Sequence, residues 1–536
     1  MIFRLWLSLL AFMLVTSVAA RAQVQSTGTQ SQPAAPNAPL ELPDVFVTGK
    51  VVVDIAAGAK QAPQKPFRLT ALDLDSLNPS EKFPSPAVPN RQLPAFARLR
   101  NTRSYYIDAS FGSYVSPEVE AGAAFRAGNY QIDADFDCRY SRDWAPGAEL
   151  LDAGLAVSSS YLAPEKFYLF GKGLTETDVS VRHRAYTLFA DPRAPMRNTT
   201  RLHASLSTEA FVDDQPIKAL FDWHRHAVST TSVAEMTDQR LRASISGNVS
   251  ARYGFEALVD LQSKNDVGYP FYQMSALRSF GDTLLNVRAK FGLQYGQTTT
   301  AMQRTGVLVD VEATYQASEV FSFGAALRSG LHPVSYSALI SQNPFISTQS
   351  QVDLPYDIAN AEFRVKYHPT QAFIGLARVG IKQTTRSLLW QGDSLSQFSI
   401  FYADASTVSA ALDLSYSVSR NDMLLGTVNI QQVTLQSGGK ATYVEPLRLD
   451  AIYERKWNAD MRTRLLVQYV GKRWADILGL VQIDSYTNIG ANLAYGLGRD
   501  IEIVASVDNL INSTIILWNG YRERGIFVSG GVSWRL

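Results

Sequence analysis

From Tyr105 to the C-terminus, apolar and polar residues alternate along the chain. In LLNVRAKFGLQYG, Leu285, Val287, Ala289, Phe291, Leu293 and Tyr295 fall on one face of an extended backbone, and Asn286, Arg288, Lys290, Gly292 and Gln294 fall on the other. STVSAALDLSYSVS repeats the pattern, with Val408, Ala410, Leu412, Leu414, Tyr416 and Val418 opposite Ser409, Asp413, Ser415 and Ser417. NYQIDADFDCRY sets Tyr130, Ile132, Ala134, Phe136, Cys138 and Tyr140 against Asp133, Asp135 and Asp137. A period of two places successive side chains on opposite faces of a β-strand. No comparable helical period runs beyond about two turns. The pattern predicts an all-β unit over residues 104–536.

So long a run of uniform strands has few solutions. Water-soluble sandwiches build small cores and rarely use so many residues. A transmembrane barrel turns apolar residues to lipid and polar ones to its lumen, with strands of about 9 to 11 residues. Aromatic pairs sit near the ends of the alternating runs: Tyr105 and Tyr106, Tyr140 with Trp144, Phe401 and Tyr402, Tyr469 with Trp474, Trp518 with Tyr521. Interfacial girdles place aromatics there. With connections about as long as strands, the unit accommodates roughly 18 to 22 strands, even in number if both ends return to the periplasm. The stretch Arg328–Ile358 is long enough for an external loop. The expected fold is a transmembrane antiparallel β-barrel of the outer membrane, in contact with its lipid.

The N-terminus sets the compartment. MIFR is a short charged start, LWLSLLAFMLVTSV is an apolar core of signal-peptide length, and Ala20 and Ala22 form a small-x-small cleavage site. Residues 1–22 are therefore expected to be removed on export. Residues 23–103 differ from the rest, since 11 of the 23 prolines lie between Pro33 and Pro94. Proline removes backbone donors and favours extended, solvated chain, which suits a short periplasmic extension. One strand-like decapeptide, ELPDVFVTGK (Glu41–Lys50), interrupts it.

Charge and cysteine usage narrow the classes further. Fifty basic residues balance 49 acidic ones, which argues against nucleic acid as a partner. Cys138 is the only cysteine, so neither a disulfide framework nor a paired-cysteine zinc site can form.

Two segments resemble TonB-dependent outer-membrane receptors. LPDVFVTGK, from Asp44 through Val45, Phe46, Val47 and Thr48 to Gly49, resembles the short extended segment on which the periplasmic energy-coupling protein adds a strand. Such β-augmentation needs only an accessible backbone. DNLINSTIILWNGYRERGIFVSGGVSWRL resembles the family's last two strands. Asp508–Asn512 would enter the turn, Gly520 and Tyr521 would lie in the final loop, and Ile526, Val528, Val532, Trp534 and Leu536 would share one face of the closing strand. The resemblance implies uptake of a small-molecule solute and an energy-coupling periplasmic partner. It departs from the family between Gly49 and Tyr105, where proline-rich chain replaces a glycine-rich globular plug.

A search for catalysis finds no G-x-S-x-G, H-E-x-x-H or Walker-type motif. In FDWHRH, Asp222, His224 and His226 share the face opposite Phe221 and Trp223 and would line the lumen as a polar cluster. The acidic ladder Asp133, Asp135, Asp137 would bias a pore toward cations; Arg240 with Arg242, or Arg462 with Arg464, would bias it toward anions. No catalytic residue, metal or cofactor is assigned. The expected function is outer-membrane solute transport. A structural or assembly barrel holding a partner stays open as the alternative, and so does a hydrolytic barrel dependent on Asp222, His224 or His226.

Overall fold

The computed structural model describes residues 105–535, apart from the short stretches 165–172, 213–214, 232, 251, 283 and 394–396. The predicted signal peptide (1–22), the extension (23–103) with its segment Asp44–Gly49, and Leu536 lie outside the described residues. Twenty-two antiparallel strands form one closed barrel. The first nine are β1 (Tyr105–Gly112), β2 (Ser116–Ala127), β3 (Tyr130–Arg142), β4 (Glu149–Leu162), β5 (Leu174–Thr187), β6 (Met196–Val212), β7 (Gln215–Thr230), β8 (Val233–Ser250) and β9 (Tyr253–Lys264). The next seven are β10 (Phe271–Gly281), β11 (Leu285–Gln297), β12 (Gln303–Gln316), β13 (Phe321–Leu331), β14 (Tyr356–Thr370), β15 (Phe373–Gly392) and β16 (Phe398–Ser417). The last six are β17 (Asp422–Leu435), β18 (Leu447–Lys456), β19 (Met461–Val470), β20 (Tyr486–Leu497), β21 (Ile501–Asp508) and β22 (Phe527–Arg535).

Each strand pairs with its sequence neighbour, and β22 returns to β1 in the register Tyr106↔Arg535 to Gly112↔Ser529. Closure leaves no unpaired edge, as the hydrocarbon core of a bilayer requires. The alternation predicted for the strands holds: Phe291 and Leu293 stand exposed on the outer face, while Lys290 points inward to Glu256, 3.1 Å away. Val528, Val532 and Trp534 of β22 likewise face outward. An apolar surface around the whole wall has no place in water and matches lipid.

The two ends differ. At one end two-residue turns suffice, such as Gly128–Asn129, where Gly128 takes φ +59°, a left-handed value that glycine adopts without strain. At the other end, residues 332–355, 436–446, 471–485 and 509–526 form long loops. β15 and β16, at 20 residues each, exceed the expected strand length. Their register shifts between Thr384 and Ser387, with Arg386 at φ +59°, and the segment beyond this bulge carries Leu388, Trp390 and Phe398 into a buried cluster.

That cluster corrects one expectation. Trp518 and Tyr521 are not girdle residues; they are buried with Trp390, Phe398 and Tyr443. Tyr521 stacks on Phe345 at 3.5 Å between centroids, and Trp518 meets Tyr443 at 4.8 Å and Phe398 at 5.0 Å. Trp144 donates its indole N–H to the Arg522 carbonyl at 3.2 Å, so it too serves the loops. The loops fold onto one another, and their aromatics bury more apolar surface there than an interfacial position would allow.

Candidate functional site: a charged cavity beneath an inward-folded loop

Loop 332–355 contains α1 (Tyr336–Gln342), a short helix capped by the Ser335 hydroxyl, which accepts the Ala338 N–H. Its apolar side chains Tyr336, Leu339 and Ile340 are buried in the mouth cluster. The barrel wall fastens the loop through polar contacts from widely separated strands. Arg197 on β6, itself 1% exposed, donates to the Pro344 and Ile346 carbonyls at 2.9 and 2.7 Å. Tyr186 on β5 donates to the Pro344 carbonyl at 2.6 Å, and Lys264 on β9 donates to the Ser350 carbonyl at 2.5 Å. Toward the opposite side, Asp353 pairs with Arg386, and its backbone N–H donates to the Tyr402 hydroxyl at 2.9 Å. A buried guanidinium is costly without acceptors, so these carbonyls stabilise Arg197 as much as Arg197 holds the loop.

A second tie joins three other loops. Arg473, fully buried, lies 3.4 Å from Glu445 and donates to the Ile516 carbonyl at 2.6 Å. Burial pushes the Glu445 carboxyl up from its ordinary value, against the pull of Arg448 and Arg473.

The sequence-predicted cluster divides. Asp222 and His224 come together, with His224 Nδ1 3.7 Å from Asp222 Oδ1. His203 joins them, its Nε2 2.7 Å from Asp222 Oδ2 and its Nδ1 3.2 Å from Asp178. His224 Nε2 lies 2.7 Å from Ser337 Oγ on α1. The order serine, histidine, aspartate invites a catalytic reading, but the surroundings oppose it. Ser337 is 3% exposed, and its backbone N–H donates to the Asp238 carboxylate at 3.1 Å. A carboxylate stands where an acyl-transfer site needs hydrogen-bond donors for a developing oxyanion. The arrangement fastens α1 to the wall. Among the described residues no group of three or more histidine, cysteine or acidic side chains is placed to hold a metal ion.

His226 points elsewhere, into a cavity of about 550 Å³ that Ile340 and Ser341 of α1 help to line. The strand register explains its chemistry. Glu120, Asp137, Gly154, Arg182, Arg201 and His226 are paired one to the next across β2 to β7, so their positions form a single inward-facing row. A second row reads Glu118, Arg139, Asp152, Arg184 and Thr199. The Asp152 carboxylate is fully buried, with Arg182 at 2.6 Å, Arg184 at 2.8 Å and Arg139 at 3.2 Å. Arg182 also reaches Asp137 at 2.8 Å. Gly154 makes room for this, since a Cβ there would meet the Asp137 carboxylate at 2.7 Å.

Several members of the other predicted charge clusters have partners on the wall. Arg240 binds the buried Asp260 at 2.5 Å, Arg462 binds Glu502 at 2.9 Å, and Arg464 binds Glu454. Asp135 accepts the Tyr106 hydroxyl at 2.7 Å. Sequence reading missed Asp152, Arg182, Arg184, His203 and Ser337, because their partners come from other strands or from a loop far along the chain.

No family model matches the sequence, and no curated protein is detectably similar to it. Solved structures do share its fold. The FrpB iron transporter from Neisseria meningitidis superposes with a TM-score of 0.64 at 11% identity, covering 82% of this chain and 83% of that one. The siderophore receptor PiuA from Acinetobacter baumannii gives 0.64 at 10% identity, covering 81% of each. The copper transporter OprC gives 0.60 at 14% identity, covering 81% of this chain and 80% of that one. In fold, the chain is a 22-stranded barrel like those of TonB-dependent outer-membrane receptors.

Proposed function

We propose that the protein is an exported outer-membrane receptor that admits a small solute through its barrel, with loop 332–355 forming part of the entry gate. The observation that carries this reading is the fastening of that loop to both sides of the mouth, directly above a charged cavity. A wall built only to hold a partner has no need of such a cavity under a latched cover. The solved proteins of the same fold are named as iron, siderophore or copper receptors and transporters; import is the part of that description carried over, and the cargo is not.

In this reading Asp44–Gly49 is the recognition strand for a periplasmic energy-coupling protein, which adds a strand to its extended backbone. Removing residues 44–49 is expected to abolish uptake while leaving barrel assembly and surface exposure intact. Uptake at the wild-type rate would defeat that assignment. Conductance of the purified barrel in a planar bilayer, with and without residues 23–103, tests passage itself. Openings in either form support a transport barrel. Silence in both, with loss of a surface or periplasmic partner complex on deletion of the gene, favours a structural barrel instead.

A further inference from the structure

We infer that the cavity beneath α1 binds a short linear zwitterion of the oligopeptide class, its cationic end toward β2 and its anionic end toward β6 and β7. The inference deepens the transport reading and rests on it for physiological meaning, but not for its test.

Charge is sorted by strand. Along the row from β2 to β7 the wall reads acid, acid, glycine, base, base, imidazole: Glu120, Asp137, Gly154, Arg182, Arg201, His226. In the middle every charge has a partner, because Asp152 gathers Arg139, Arg182 and Arg184, and Arg182 also serves Asp137. What remains is at the two ends. Glu118 on β2 and Arg201 on β6 line the cavity, and neither has an ion-pair partner among the described residues. His226 adds a hydrogen-bonding group at the same end. It is 4% exposed, lines the same cavity, and its Nδ1 has no hydrogen-bond partner among the described residues. A buried ring nitrogen left without a partner is costly, and it marks a place where a ligand group completes the bonding.

Dimensions choose the ligand's length. Strands β2 and β6 are four spacings apart, roughly 19 Å along the wall at about 4.8 Å per strand. The Glu118 and Arg201 side chains reach inward from both ends and shorten the gap. An extended chain of three or four residues, at about 3.4 Å each, then spans it. The charges also choose against simple ions. A free anion would meet Glu118 and Asp137 within the same cavity, and a free cation would meet Arg201, and like charges repel. A molecule carrying both charges, held apart by a hydrogen-bonding backbone, satisfies both ends together.

The test uses the full-length protein in detergent, titrated calorimetrically with triglycine, N-acetyltriglycine and triglycine amide. Triglycine is expected to bind, and blocking either end to weaken binding about tenfold or more. Arg201→Gln should weaken triglycine and N-acetyltriglycine alike and leave the amide unchanged. Glu118→Gln should weaken triglycine and the amide and leave the N-acetyl form unchanged. Both residues stand on the wetted wall, and retained heat-modifiable migration on gels checks that each variant barrel is folded. No binding of triglycine, or binding that ignores the blocking group, overturns the inference. Passage of an uncharged sugar into proteoliposomes is measured in parallel with and without residues 23–103: passage in either form without triglycine binding removes this inference and leaves the transport reading, and binding without passage in either form does the reverse.

Discussion

Ser337 Oγ on the loop helix lies 2.7 Å from Nε2 of His224 on the barrel wall. Both residues are buried, so neither finds water if the other leaves. A buried hydrogen bond of this kind contributes about 1 kcal/mol, and more when the orphaned partner cannot be solvated. Ser337→Ala is expected to loosen α1 without touching the barrel. Limited proteolysis should cut within 332–355 faster than in the parent, while heat-modifiable migration of the barrel stays the same. Unchanged cutting would mean that Arg197 and the apolar face of α1 hold the loop without help.

Arg473 ties loop 471–485 to Glu445 and to the Ile516 carbonyl. Arg473→Ala leaves the buried Glu445 carboxylate with Arg448 alone and the Ile516 carbonyl without its donor, a change that typically costs about 1–3 kcal/mol. The expected result is frequent opening of the loop end in bilayer recordings and new protease sites in 436–446 and 509–526. A double variant with Glu445→Gln should recover part of the loss, because the stranded charge is then gone.

The same carboxylate gives a pH dependence with a defined sign. Burial raises the Glu445 carboxyl in the packed cap. A raised acid favours its protonated form in the packed state. Its stabilising contribution is thus complete below the ordinary glutamate value of about 4.3 and fades as pH rises through the higher, packed-state value. Openings should therefore be rarer at pH 5 than at pH 7.5, and Glu445→Gln should flatten the difference. More openings at the lower pH would contradict the assignment.

The two faces of β11 offer a sharp contrast. Phe291 faces outward and is exposed, whereas Lys290 faces inward to Glu256. An arginine on the lipid face near the midplane of a barrel costs about 2–4 kcal/mol. Phe291→Arg should lower barrel stability in urea refolding by that order, and Lys290→Gln should change it little. Equal effects would mean that the band at Phe291 does not meet hydrocarbon.

How far the sequence led depends on the range of the interaction. Strand faces were legible because alternation is local: Leu285 to Tyr295 carry their own instructions, and the upper end of the expected strand range is the number found. The inward orientation of Asp222, His224 and His226 followed from the same rule. Their partners did not. His203 meets Asp222 through the β6–β7 register, and Ser337 meets His224 across the mouth, so neither leaves a local trace. Trp518 and Tyr521 stand where girdle aromatics would, because in sequence a strand-end aromatic looks the same whether it turns to lipid or into a packed loop. The gathering of three arginines on Asp152 required three separate strand pairings to be known together.

The pairing of β1 with β22 has a kinetic consequence. Tyr106 and Arg535 stand at nearly opposite ends of the described chain, yet their backbones are neighbours. Every other wall pairing can form as the chain is delivered, hairpin by hairpin; this one waits for the last strand. Until then the growing sheet carries two sticky borders, and folding rates fall as the separation of contacting residues grows. The final seam is thus the expected slow step in making this protein, and a chain shortened within Phe527–Arg535 should accumulate as an aggregating, unsealed intermediate.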